Sequence, residues 1–150
     1  MYMAMNVGAA RKVYKIAYPA MYAVPGTPRS YGPAAKAVDG AAQQSTDLCT
    51  PEDAYAYNSI QRAHQNSVEN YPIVIGLAII GWGFPIPAGF SLLSWAIGRV
   101  FYFNGYAHHH ESRNNIASML LTYPALFTLW GLALCTAVHL YRNILPYNYA

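Results

Sequence analysis

The sequence predicts an all-α membrane protein, an antiparallel bundle of helices, and three observations carry that expectation. Of its 150 residues 55% are hydrophobic and only 10% charged, whereas a soluble domain carries roughly a quarter charged residues. Beyond residue 54 the chain holds three apolar stretches, each long enough to set against the roughly 20 residues that cross a bilayer as a helix. Fourteen tyrosines and three tryptophans suit the two lipid–water interfaces, where amphipathic rings collect.

Taken in order, residues 1–23 begin with an apolar stretch that meets Arg11, Lys12 and Lys15 too soon for a full span. They read as a partial first helix followed by a basic segment. No acid precedes Asp39, while Arg11, Lys12, Lys15, Arg29 and Lys36 all do. Such a start resembles an organelle transit segment, although an uncleaved start is the simpler expectation. Residues 24–53 gather Pro, Gly, Ser, Thr and Gln and predict a long loop. Thr50 as cap, Pro51 at the first helical position, and Glu52 and Asp53 at the positive end of the dipole then open a helix.

That helix is expected to become a membrane helix over 54–84, with Pro72 tolerated inside it. The turn FPIPAG is short and uncharged, so the next membrane helix, 89–106, returns antiparallel. A polar patch, HHHESRNN, separates it from the last, 115–141. If these three alternate, the early basic residues and Arg113 share one side, which the positive-inside rule assigns to the cytosol or the mitochondrial matrix. The chain reads as one domain over 1–150.

Several function classes are excluded. A net charge of +3 from scattered basic residues makes no nucleic-acid stripe. Consecutive His108, His109 and His110 cannot all face one ion on a regular helix, and His110 with Glu111 lacks metal-motif spacing, so no metal site is expected. His64 and His139 read as core histidines rather than haem ligands. Cys49 and Cys135 lie in unlike settings and predict no disulfide, Cys135 reading as a small buried apolar residue.

One pattern carries chemistry. Arg62, Asn66 and Glu69, spaced four and three apart, lie along one helical stripe just before an apolar run. Together they hold a guanidinium for a carboxylate, an amide, and a carboxylate for an ammonium, the inventory needed for a peptide-like zwitterion. The alternative is an Arg–Glu bridge at the wet end of the helix. Arg99, Tyr102 and Tyr106 make a second stripe. Arg99 lies well inside its segment and needs a partner, for which Glu69 is the natural candidate, while the tyrosines suit either a ligand or an interfacial belt. Arg113 follows at the mouth, either as a topology anchor or as a cation that holds a bound thiol as thiolate.

The blocks NVGAARKVYKIAYPAMY at 6–22, YNSIQRAHQNSVENYP at 57–72 and AIGRVFYFNGY at 96–106 resemble the MAPEG superfamily of membrane-associated glutathione and eicosanoid proteins. The likeness is closest to its type-3 microsomal glutathione transferases. It covers nearly everything except the long loop and the start. It implies a four-helix bundle of MAPEG type, here with a shortened or missing first helix, because only about ten residues precede Arg11 where a full helix needs about twenty. It implies a homotrimer binding glutathione between subunits. By position, Arg62, Asn66 and Glu69 would hold its polar groups, Arg11, Tyr102 and Tyr106 would add contacts, and Arg113 would stabilise the thiolate. Asn70 stands where the leukotriene-forming relative has a tyrosine, which implies loss of that contact.

The expected function is therefore a glutathione-dependent transferase or peroxidase acting on lipophilic electrophiles or lipid hydroperoxides, in the endoplasmic reticulum or a mitochondrial membrane. Glutathione serves as co-substrate and membrane lipids as partners. The alternative is a recruited structural subunit of a larger membrane complex, such as a respiratory complex. A lipid-binding scaffold that activates a lipoxygenase ranks third.

Overall fold

The computed structural model describes residues 1–29, 48–108 and 115–144. Four α-helices and one 3-10 turn make up its regular structure there, and the fold is the expected all-α membrane bundle. Helix α1 spans Tyr2–Tyr14 and closes on Lys15 in the left-handed conformation, φ 55° and ψ 43°. The N–H groups at the stop return to Arg11 O, that of Ile16 at 3.0 Å, and Arg11 and Lys12 complement the dipole in the last turn.

Helix α2, Pro51–Ile80, opens as its local chemistry dictates. Asp53 N–H donates to Thr50 Oγ1 at 3.1 Å, while the Thr50 hydroxyl donates to Asp53 Oδ2 at 2.6 Å. Pro72 sits within the helix. The helix ends at Ile80, short of the expected 84, because Gly81–Gly83 tighten into a 3-10 turn in which Phe84 N–H returns to Gly81 O at 2.9 Å. Helix α3 starts at Pro85, where a proline needs no donor, and runs to His108. Helix α4, Ile116–Ile144, is capped by Asn115, whose Oδ1 accepts from Ser118 N–H at 2.7 Å.

Among the described residues two stretches are long and apolar enough to cross a membrane, Pro85–Ala107 and Ile116–Asn143. Helix α2 has the length, but Glu52, Asp53, Arg62 and Glu69 occupy its first two thirds. Large apolar side chains such as Phe90 and Ile86 on α3, and Phe127 and Leu134 on α4, stay exposed, as side chains that meet lipid do.

The chain divides into two compact units. The first draws on Met1–Gln65 and Phe103–Arg113. Its core holds Ala10, Ile16, Ala23, Cys49, Ala54 and Tyr57, with Tyr14 edge-on to Tyr57 at 6.4 Å. The segment after α1 is stitched to α2 by side chains. Asn58 accepts from Ala23 N–H at 2.8 Å and donates to Ala23 O at 2.9 Å, and Tyr57 Oη donates to Met21 O at 3.2 Å. Farther on, Pro28 and Leu48 form an antiparallel bridge, and Arg29 donates to Leu48 O and pairs with Asp53. These contacts close the neck of the expected long loop, whose residues 30–47 lie outside the described ones.

The second unit draws on Asn66–Tyr102 and Asn114–Ala150. Here α2, the 3-10 turn and α3 make the expected helical hairpin, and α4 packs on it through Val74, Leu77, Trp95, Ala125, Leu129 and Ala133. Backbones come close at Gly98, where a Cβ would overlap Thr122 Oγ1 and lie 3.1 Å from Thr122 N. Only glycine permits that approach. Both cysteines are free, Cys49 buried and Cys135 exposed. Cys135 therefore sits on the apolar surface of α4 rather than in its core.

Candidate functional site

The α2 stripe forms as its spacing requires. Arg62 and Glu69 are exposed and Asn66 is half-buried, so the two charges keep their hydration while the amide turns partly inward. Asn70, one turn after Asn66, donates its amide to Asn66 O at 2.7 Å.

Within the second unit, Arg99 reaches α2 from α3 and is only 6% exposed. Its Nη2 donates to Asn66 Oδ1 at 2.7 Å and to Ser67 Oγ at 2.8 Å, and its Nε donates to Ser67 Oγ at 3.2 Å. The guanidinium lies 4.1 Å from the Tyr102 ring centroid and 5.9 Å from that of Trp95. The expected partner, Glu69, is not the one Arg99 takes. Fully buried Ser67 points at α3, whereas Glu69, two residues on and so about 200° around the helix, stays exposed. The buried cation is thus held by neutral dipoles and a ring face rather than by a carboxylate.

Within the first unit, Arg11 lies in the last turn of α1 and is 4% exposed. Its guanidinium sits 4.1 Å from the Tyr18 ring centroid and 5.6 Å from that of Tyr57. Among the described residues its buried Nε and Nη1 meet no hydrogen-bond partner, and neither do Gln61 Oε1 and His64 Nδ1. Gln61 and His64 were not legible as site residues in the sequence. Gln61 precedes Arg62 directly and His64 follows it by two positions, and that nearness was the one signal available. Tyr106 is buried in this unit, at 6% exposure.

The first unit also holds a cavity of about 320 Å³ beside α1, with Asn6, Ala10, Tyr14, Ile60 and Phe103 among its walls. Tyr2 Oη donates to Asn104 Oδ1 at 2.9 Å at its edge. Among the described residues no three His, Cys, Asp or Glu side chains gather as they would around a metal ion. Arg113, the expected catalytic cation, and His109, His110 and Glu111 lie outside the described residues.

The second unit therefore offers a half-buried amide and an exposed carboxylate on α2 and a tyrosine stacked on a fixed arginine of α3, and the first unit an exposed cation on α2 and a buried arginine. In a comparison with family models, residues 1–135 match the model of the MAPEG family.

Proposed function

Because the chain belongs to the MAPEG family, we propose that it is a membrane-bound glutathione transferase or peroxidase, of the type-3 microsomal kind. The observation that carries the reading is the α2 stripe. Arg62 and Glu69 are exposed and carry the two charges a zwitterionic peptide requires, and Asn66 between them is braced from behind by Arg99.

In this reading Arg62 pairs a carboxylate of glutathione, Glu69 its ammonium, and Asn66 a backbone group, with Arg11, Tyr102 and Tyr106 adding contacts. Arg113 holds the sulfur as thiolate, the nucleophilic form. In the transferase reaction the thiolate attacks an electrophilic carbon, for instance of an epoxide, whose oxygen leaves as alkoxide and takes up a proton. In the peroxidase reaction two glutathiones reduce one lipid hydroperoxide to the alcohol and water, and are oxidised to the disulfide. Apolar surface on α3 and α4 suits a substrate that arrives through the membrane. As an enzyme the chain would work as a homotrimer, with sites shared between neighbouring copies, in the endoplasmic reticulum or a mitochondrial membrane.

The second reading, an accessory structural subunit of a larger membrane complex, is favoured by the pinned neck at Pro28 and Leu48. A neck tied at both ends by a bridge and an ion pair is more than a glutathione site by itself requires. Thiolate absorbance in the ultraviolet separates the two. Glutathione bound to the purified full chain with a thiolate signal that vanishes in Arg113→Ala supports the enzyme. An intact assembly that binds no glutathione supports the structural subunit.

A further inference from the structure

We propose that Arg99 is a positioning residue that fixes the amide orientation of Asn66, so that Asn66 meets its ligand only as a hydrogen-bond donor to a carbonyl or carboxylate oxygen. This assignment rests on the glutathione reading and deepens it by naming the ligand atom that Asn66 recognises.

The argument starts from the inventory of groups. A guanidinium carries five donors and no acceptor. The asparagine atom that faces Arg99 Nη2 at 2.7 Å is therefore the carbonyl oxygen, and the amide nitrogen must point the other way. Flipping the amide would set donor against donor at a site where Arg99 is only 6% exposed and water cannot repair the loss. Arg99 has no freedom to follow such a flip. Two of its nitrogens are bound to Ser67 Oγ, itself fully buried, and the guanidinium is stacked on Tyr102 at 4.1 Å.

The backbone of Asn66 is engaged as well, since its carbonyl accepts from Asn70. What Asn66 has left is its Nδ2, on a half-buried side chain between exposed Arg62 and exposed Glu69. A donor in that place selects an oxygen of the ligand and rejects an N–H. Arg99, enclosed and bound through Nε and Nη2 to Ser67 and Asn66, acts through the amide rather than on the ligand. The expected effect on catalysis is therefore on ligand affinity, with the step at sulfur left to Arg113.

The test compares glutathione affinity by calorimetry and thermal stability for the purified full chain and four variants. Asn66→Asp keeps an oxygen for Arg99, with charge assistance, but removes the outward donor. It should retain the melting temperature and lose at least about tenfold in affinity, the scale of a lost hydrogen bond in a polar site. Arg99→Met should weaken binding in the wild-type background and change it less than about twofold in the Asn66→Ala background, because a positioning residue has nothing left to position. Asn66→Asp that binds like wild type overturns the assignment, and it does so even if Arg99→Met fails to fold. An Arg99→Met loss equally large with and without Asn66 also overturns it. A wild-type chain that binds no glutathione overturns the functional reading itself, and the assignment with it.

Discussion

Arg11 and Arg99 are nearly equally buried, at 4% and 6% exposure, yet they are different objects. In the second unit Arg99 donates to Asn66 and Ser67 and stacks on Tyr102. In the first unit Arg11 leans on Tyr18 and Tyr57 and leaves Nε and Nη1 unpaired. A satisfied buried cation contributes to the fold, and an unsatisfied one is a cost the fold carries. Burial alone does not separate structural from functional charge. The tally of donors is the better guide: among the described residues Arg99 is bound through Nε and Nη2, whereas Arg11 keeps Nε and Nη1 for the ligand contact proposed above.

Substitutions should break that contrast in order of size. Arg99→Ala strands Ser67 and Asn66 beside a cavity, and should cost about 3 kcal/mol in reversible denaturation of the detergent-solubilised protein. Gly98→Ala comes next, at about 2 kcal/mol, because its Cβ meets the backbone N of Thr122 as well as the hydroxyl, and α4 must move. Measured by the same denaturation, a loss below about 0.5 kcal/mol would mean that α3 and α4 are not in fixed contact there.

In the first unit, Asn58→Ala removes both hydrogen bonds to Ala23 and should cost about 1.5 kcal/mol. It should also expose the segment after α1 to protease, which limited proteolysis would detect. Arg11→Met should have the smallest effect on the ligand-free fold, under about 0.5 kcal/mol, because an unbranched apolar chain fills the same space without unpaired donors. It should nevertheless abolish most of the thermal stabilisation that glutathione confers. A large loss of stability in Arg11→Met with unchanged ligand stabilisation would invert the comparison.

Much of this was legible beforehand wherever it depended on near neighbours in the chain. Thr50, Pro51, Glu52 and Asp53 announce the start of α2, and the cap forms with those atoms. The spacing of Arg62, Asn66 and Glu69 places them on one stripe whatever else the chain does. Composition alone foretold the spans on α3 and α4. The end of α2 was less legible, because a helix can run on through glycine in lipid and only packing decides where it tightens. The partner of Arg99 was misjudged for a similar reason. Charge pairing is the obvious expectation for a buried arginine, but Ser67, which carries no signal in the sequence, faces α3 while Glu69 does not.

By itself, then, the sequence determined the class of fold, the start of α2, the apolar spans on α3 and α4 and the stripe that carries Arg62, Asn66 and Glu69. All of these follow from propensity, periodicity and hydropathy, which act within a few residues or by simple summation. Only the tertiary structure decided that Arg99 is satisfied and Arg11 is not, that Asn66 is turned donor outward, and that Asn58 ties down Ala23. Those outcomes depend on which side chains meet across 32 to 35 positions of chain, and a hydrogen-bond count can be closed only after the helices have packed.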